Sequence, residues 1–255
     1  EILQWLVSCL DHQCTADDFR LAIAHGHLNV VKWMFKHQYQ AVSPVSIEEC
    51  AMNGRLDMIE WLHYNRPELV RSSPLAMDYA AGNGHACTLR WLHSNRSEGC
   101  SSAAMDLACA NGHLHIVQWL HEHRKEGPSQ MGLDEAAAFG QLHILRWFLE
   151  NRNERWSDLA IDKAAGKGKL NVVKWLYHQS PSSATDNTLL CAAVAGHLET
   201  VKWLCLETTV GCLVEAQANA LRYNRGRVVE FLDDLHDSGR WRICANCQQM
   251  ETSWF

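Results

Sequence analysis

The sequence predicts an all-α solenoid, a stack of short helix–turn–helix units, and three periodic features carry this prediction. Glycines recur at intervals of 28 residues, with a single interval of 30. A tryptophan stands seven residues after each of these glycines, and a small residue stands four residues before it. Fixed periods of about 20–50 residues indicate repeat architectures, because each unit buries its apolar face only against its neighbours.

The periodic glycines serve as anchors that define the units. They are Gly26, Gly54, Gly84, Gly112, Gly140, Gly168 and Gly196. Asn224 takes the anchor place in the last unit, and Asn tolerates a left-handed backbone better than most residues with a side chain. The tryptophans are Trp33, Trp61, Trp91, Trp119, Trp147, Trp175 and Trp203, with Trp5 one period earlier and Phe231 one later. The small column is Ala22, Cys50, Ala80, Ala108, Ala136, Ala164, Ala192 and Ala220, which predicts a seam where helices approach closely.

Two helices are predicted in each unit. After the anchor, Leu114, Val117 and Leu120 fall on one helical face. Before it, segments such as 104–110 form a first helix, which the glycine ends in a left-handed turn. Ser43-Pro44 and Ser73-Pro74 predict helix starts, with Ser46 and Glu49 as an alternative capping box.

Composition and charge exclude several classes of partner. The formal net charge of −6 gives no attraction for a phosphate backbone, so we expect no nucleic acid. No run of eighteen apolar residues occurs, so we expect no membrane span. The start at Glu1 lacks Met and a basic region, and we expect an excised piece of a longer chain. Eleven cysteines, among them Cys50, Cys109 and Cys191 in apolar helical patterns, favour a reducing, intracellular compartment, cytoplasmic or nuclear.

The second helices resemble those of ankyrin repeats. The resemblance rests on Leu28–Met34 and Gly196–Leu204, and on Ala-Ala pairs such as Ala80-Ala81 just before the anchor. It spans roughly Trp5 to Asp234, and leucine-rich and tetratricopeptide patterns fit less well. We therefore expect an ankyrin-like array over residues 1–235 and a cap or tail over 236–255. The units are shorter than the family's usual length of about 33 residues, which implies that the projecting hairpin is reduced.

The resemblance implies a protein partner bound on the concave face formed by the first helices. Carried over by column, the candidate contacts near the ends of these helices are Met52, Asn53, Asn83, Asn111, Phe139, Lys167 and Tyr223. One turn earlier they are Glu49, Tyr79, Leu107, Glu135 and Lys163. The strongest candidates among these contacts are the aromatic residues Tyr79, Phe139 and Tyr223, because aromatic residues dominate interface energies.

An acidic column precedes the anchors: Glu48, Asp78, Asp106, Asp134 and Asp162. We expect these acids in the first turns of their helices, where they stabilise the helix dipole. A metal-binding or catalytic row is the alternative, but the acids follow the scaffold period rather than converging on one place.

No cofactor, metal or catalytic residue is expected. Cys244 and Cys247 form half of a zinc motif with only His236 nearby, and His63, His93 and His121 fall on separate stacked helices. Phosphate-binding glycine loops and nucleophile motifs are lacking. The tryptophans are interpreted as packing between units rather than as a stacking surface for bases or sugars.

Function is therefore predicted to be non-catalytic: a monomeric scaffold or adaptor that binds a protein. Two alternatives stay open. The array could regulate or target a larger enzyme, or it could be delivered into another cell to bind a target there. Partner identity is not encoded in the repeats themselves.

Overall fold

A computed structural model describes residues 15–37, 45–67, 70–71, 73–152 and 154–238. Trp5, Ser43-Pro44, Cys244 and Cys247 lie outside the described residues, as does most of the expected cap or tail. The described residues form sixteen α-helices, one short 3₁₀ turn and two two-residue strands. The all-α prediction is confirmed.

The helices alternate between the two kinds predicted for each unit. The first helices are α1 (Ala16–Ala24), α3 (Glu48–Met52), α5 (Leu75–Gly82), α7 (Ser102–Asn111), α9 (Gln130–Ala138), α11 (Leu159–Gly166), α13 (Asp186–Ala195) and α15 (Leu213–Arg222). The second helices are α2 (Leu28–Lys36), α4 (Leu56–Asn65), α6 (Ala86–Asn95), α8 (Leu114–His123), α10 (Leu142–Asn151), α12 (Leu170–Gln179), α14 (Leu198–Glu207) and α16 (Gly226–Asp237). The last helix runs two residues beyond the expected end of the array at residue 235.

The chain divides into two compact bodies. The first comprises residues 1–108 and 115–127, and the second comprises residues 109–114 and 128–255. In the first body α3 packs on α5, and α1, α3 and α5 each contact the second helix of their own unit. In the second body α9, α11, α13 and α15 pack side by side in that order. Within each body the helix pairs are stacked as the period predicted.

The turn between the helices of each unit has the predicted left-handed backbone. Every anchor glycine has a positive φ, between 66° and 85°. Asn224 has a φ of 56° and is the one residue other than glycine with a positive φ in the described part of the chain. The assignment of Asn224 as the eighth anchor is confirmed.

The small column forms the predicted seam. Ala22 is 6% exposed, and the other seven members of the column are 0% exposed. Side chains of this size let neighbouring helices approach closely, and a larger residue here would have to push two helices apart.

Helix starts agree with the sequence at one site and differ at another. The Ser73 hydroxyl accepts a hydrogen bond of 3.2 Å from the Leu75 amide, with Pro74 between them, as predicted. The alternative capping box is wrong, because Ser46 belongs to strand β1 (Val45–Ser46) and α3 begins two residues later. Strand β1 pairs in parallel with β2 (Val70–Arg71), so the backbone at Ser46 is extended rather than helical.

The tryptophan column lies at the margin of the stacks rather than inside them. The seven members of this column that the structure describes are all only partly buried. Trp91 packs edge-on against His63 and Trp119 against His93, with ring centroids 5.2 and 5.1 Å apart. These two histidines belong to the preceding unit, so they pack between successive units.

Candidate protein-binding groove

The acidic column holds successive units together. In the first body, Asp78 accepts hydrogen bonds from the Ser101 amide (2.8 Å) and the Ser101 hydroxyl (2.6 Å). In the second body, Asp134 accepts the same two bonds from Ser157, at 2.7 and 2.5 Å. Each serine precedes the first helix of the following unit, so the acid fixes where that helix begins.

Asp162 and Glu48 act in the same way. Asp162 accepts from the Asn187 amide at 2.6 Å and from the Thr188 hydroxyl at 2.5 Å, and Glu48 accepts from the Ser73 hydroxyl at 2.5 Å. A structural role was predicted, but the expected position in the first turn was wrong for Asp106 and Asp134. Each is the fifth residue of its helix, α7 and α9 respectively, and so lies beyond the first turn. Asp134 contacts the next unit instead of its own helix end.

At several anchors the residue after the anchor forms a hydrogen bond with the first helix of the preceding unit. In the second body, Gln141 Nε2 donates to the Ala110 carbonyl at 3.2 Å, and Arg225 Nε donates to the Val194 carbonyl at 2.8 Å. His197 Nε2 lies 3.1 Å from the Gly166 carbonyl, which can only accept, so Nε2 carries the proton. These bonds satisfy carbonyls left open at the ends of the first helices.

A groove of about 390 Å³ opens among three first helices of the second body. Its floor is α11, which contributes Leu159, Lys163, Gly166 and Lys167. Its walls are formed by Glu135 and Ala138 of α9 and by Asn187 and Cys191 of α13. The buried Asp162 of α11 also lines it. The groove contains three of the predicted contact residues, Glu135, Lys163 and Lys167.

Some of the charged side chains in this groove are paired, and one is not. Lys163 Nζ lies 2.7 Å from Glu135 Oε1, in an ion pair that joins α11 to α9. Asp162 is 8% exposed, and its two oxygens accept hydrogen bonds from α13. Lys167 is exposed and forms no ion pair within the described part of the chain. One cation therefore remains available to a partner.

Large apolar side chains lie exposed on the same helices. Leu159 on α11 is 58% exposed, Met131 on α9 is 68% exposed, and Phe139 at the end of α9 is 50% exposed. Phe139 was among the predicted contact residues, whereas Leu159 and Met131 were not. Their signal in the sequence is a column nine residues before the anchor, where an apolar residue on a first helix has no core to enter.

The predicted contacts of the first body have other roles as well. Glu49 and Met52 are exposed on α3. The side-chain amide of Asn53 donates to the Glu49 carbonyl at 3.0 Å. The Asn83 amide donates to the Tyr79 carbonyl at 2.9 Å. Both asparagines therefore terminate their own helices.

The aromatic candidates differ in accessibility. Tyr79 is half-buried, so less of its ring is open to a partner than in Tyr223, which is 48% exposed. Leu107 is 36% exposed and packs against Gly82, where an added Cβ would lie 2.7 Å from the Leu107 Cβ. Asn111 is exposed at the end of α7.

The cysteines in the described residues are free thiols. They are Cys50, Cys87, Cys100, Cys109, Cys191, Cys205 and Cys212. Burial raises the pKa of Cys50 to about 12, and burial also raises the pKa of Cys191 beside the groove. A thiol held neutral in this way is a poor nucleophile and a poor metal ligand.

Two further observations bear on the kind of site. Among the described residues, no group of three His, Cys, Asp or Glu side chains is placed to bind a metal ion. Across those same residues, no helix combines the length and the apolar character that crossing a membrane requires.

Comparison with known proteins identifies the repeats. Stacked helix pairs with a left-handed turn define a helical-repeat protein, and residues 133–218 match the family model of ankyrin repeats, in three copies. Residues 133–218 therefore carry ankyrin repeats, in a short form with a period of 28 residues. Such repeats indicate a protein–protein interaction module and are generally non-catalytic. No curated protein matches the chain.

Proposed function

We propose that this chain is a non-catalytic scaffold or adaptor that binds a protein partner through the first helices of its second body. The groove among α9, α11 and α13 carries this proposal, because it joins an open concave surface to exposed apolar side chains and an unpaired cation. The lining of the groove lies within the segment that matches ankyrin repeats.

The exposed apolar residues supply the affinity. Covering a side chain the size of Leu159 or Phe139 contributes about 1.5–3 kcal/mol when burial is complete. A small number of such side chains, surrounded by polar contacts that exclude water, accounts for most of the binding energy of protein interfaces. Leu159 fits that description, because it lines the groove together with Lys167 and Asn187. Phe139 and Met131 add exposed apolar surface on the adjacent α9.

The opposite face offers a matched control. Leu206 on the second helix α14 is 49% exposed, close to the 58% of Leu159. Leu159→Asp and Leu206→Asp therefore introduce the same charge at similarly exposed positions of one body, on first and second helices respectively.

Affinity capture with these variants tests the proposal. After circular dichroism shows equal helicity and melting, the wild-type chain and Leu206→Asp should retain the same proteins from lysate. Leu159→Asp should lose them, because a carboxylate in an apolar contact must be desolvated without a partner. Retention by Leu159→Asp together with loss in Leu206→Asp would place the binding surface on the second helices and contradict the proposal.

A further inference from the structure

We infer that the groove recognises a linear acidic–apolar segment of the partner, in which a leucine- or phenylalanine-sized side chain lies within a few residues of a carboxylate. This inference rests on the proposed function and specifies what the same groove binds. Three features of the groove support it: the open apolar floor, the unpaired lysine and an unused amide oxygen.

The floor of the groove is open because α11 has glycine where a side chain would project. An added Cβ at Gly166 would have its nearest contact at 3.6 Å, on the Cys191 Cβ, which is ordinary packing distance. At the equivalent position in the first body, an added Cβ at Gly82 would lie 2.7 Å from Leu107, so that space is filled. The space beside Gly166 is therefore free for an apolar side chain of a partner.

The charge of the groove favours an anion. Glu135 is neutralised by Lys163, and the carboxylate of Asp162 is buried and bonded to α13. The exposed Lys167 ammonium has no carboxylate partner in the described residues, and the exposed Lys169 follows two positions later. A carboxylate on the partner would meet these cations without displacing an existing ion pair.

Asn187 provides a place for the backbone of the segment. Its Nδ2 donates to Asp162 at 2.6 Å, which orients the side chain, and its Oδ1 accepts no hydrogen bond from any described residue. An oriented carbonyl oxygen at the wall of an apolar groove can accept a backbone N–H from an extended peptide.

The test uses a phage-displayed library of random 12-residue peptides selected on the immobilised full chain. We expect the selected peptides to carry Asp or Glu within three positions of Leu, Ile, Met or Phe. Selection on Leu159→Asp should recover none of these peptides. A synthetic selected peptide should bind Lys167→Glu about tenfold more weakly than wild type, a difference of roughly 1.4 kcal/mol. Arg227→Glu, an exposed charge reversal on α16, should bind that peptide like wild type.

Three outcomes would overturn the inference. Peptides could be selected without acidic residues, or the acidic preference could persist on Lys167→Glu, in which case Lys167 only complements the carbonyl end of α11. Alternatively, no peptide could be selected although a folded protein is captured in a Leu159-dependent manner. In that last case the proposed function stands and the linear segment is wrong, so the two failures are distinguishable.

Discussion

Single buried aspartates connect one unit to the next. Asp134 is 4% exposed, and each of its oxygens accepts one hydrogen bond from Ser157, 23 residues further along the chain. The arrangement recurs at Asp78 with Ser101. A carboxylate that binds both an amide and a hydroxyl makes two charge-assisted hydrogen bonds, which are stronger than neutral ones.

Removal of this acid should weaken the second body. We expect Asp134→Ala to lower the free energy of unfolding by about 1.5–3 kcal/mol, because the partly buried Ser157 amide and hydroxyl lose their charged acceptor. Glu150→Ala, an exposed acid on the neighbouring α10, should change it by less than about 0.5 kcal/mol. Guanidinium unfolding followed by circular dichroism measures both, and equal midpoints for the two variants would contradict this role of Asp134.

The left-handed turn at Asn224 gives a second prediction at this scale. Asn224→Gly should match or slightly exceed the stability of the wild-type chain, since glycine adopts a φ of 56° without strain. Asn224→Ala should cost up to about 1–2 kcal/mol, because alanine lacks the short polar side chain whose local hydrogen bonding lets asparagine tolerate the left-handed conformation. Thermal melting ranks the three chains, and an alanine variant as stable as the glycine variant would exclude backbone strain as the reason for Asn224.

Residue-scale roles were only partly predictable from the sequence. The structural role of the aspartate column follows from its period, but its partner does not, because the serine belongs to another unit and is brought close only by stacking. Similarly, the tryptophan period predicts packing. The partial exposure of the column depends on how far neighbouring helices extend, which no single repeat encodes.

At the scale of the helices, Arg–Glu ion pairs form just after the ends of second helices. We call each of these pairs a clamp. Arg124 binds Glu126 through two hydrogen bonds of 3.1 and 2.7 Å, and Arg96 binds Glu98 in the same way. The Arg124 hydrogen bond lowers the pKa of Glu126. Burial alone would raise the pKa of Glu98, but the Arg96 hydrogen bond and charge outweigh it, so this pKa is also lowered.

These clamps make stability depend on pH. A carboxyl whose folded pKa lies below its unfolded value stabilises the fold above the unfolded pKa, near 4.5, and loses that contribution as the pH falls through the folded pKa. Glu126→Gln should therefore cost at most about 1 kcal/mol at pH 7, since the pair is partly solvated, and close to nothing well below the folded pKa.

Urea unfolding midpoints between pH 7 and 3 measure this dependence. Glu122→Gln, at an exposed acid on α8, is the control and should follow the wild-type curve. A constant difference between Glu126→Gln and wild type across the whole range would show that the clamp contributes through shape rather than charge.

At the element scale the sequence predicted the helices better than the space between them. Period, anchor and seam place both helices of each unit within a few residues. The groove beside α11 was not predicted, because it depends on the combination of Gly166, Ala138 and Leu159 on two adjacent helices. Such a combination departs from the repeat average, so a periodic analysis does not detect it.

At the scale of the whole molecule, the repeats separate stability from recognition. The small buried column and the left-handed turns recur in every described unit, and they build each body from units that support their neighbours. Residues at the ends and starts of the first helices vary from unit to unit and lie exposed. In the second body this variation produces a groove that combines the apolar surface of Leu159, the Lys163–Glu135 ion pair and the unpaired Lys167. The proposed binding site thus lies where the repeat pattern is broken.

The most direct test of this account is photo-crosslinking of the full chain inside cells, with p-benzoylphenylalanine at position 159 or at position 206. The two positions have similar exposure on first and second helices of the same body. We predict a discrete crosslinked protein from position 159 and none from position 206. Crosslinking from position 206 alone, or equally from both, would contradict a protein-binding surface on the first helices.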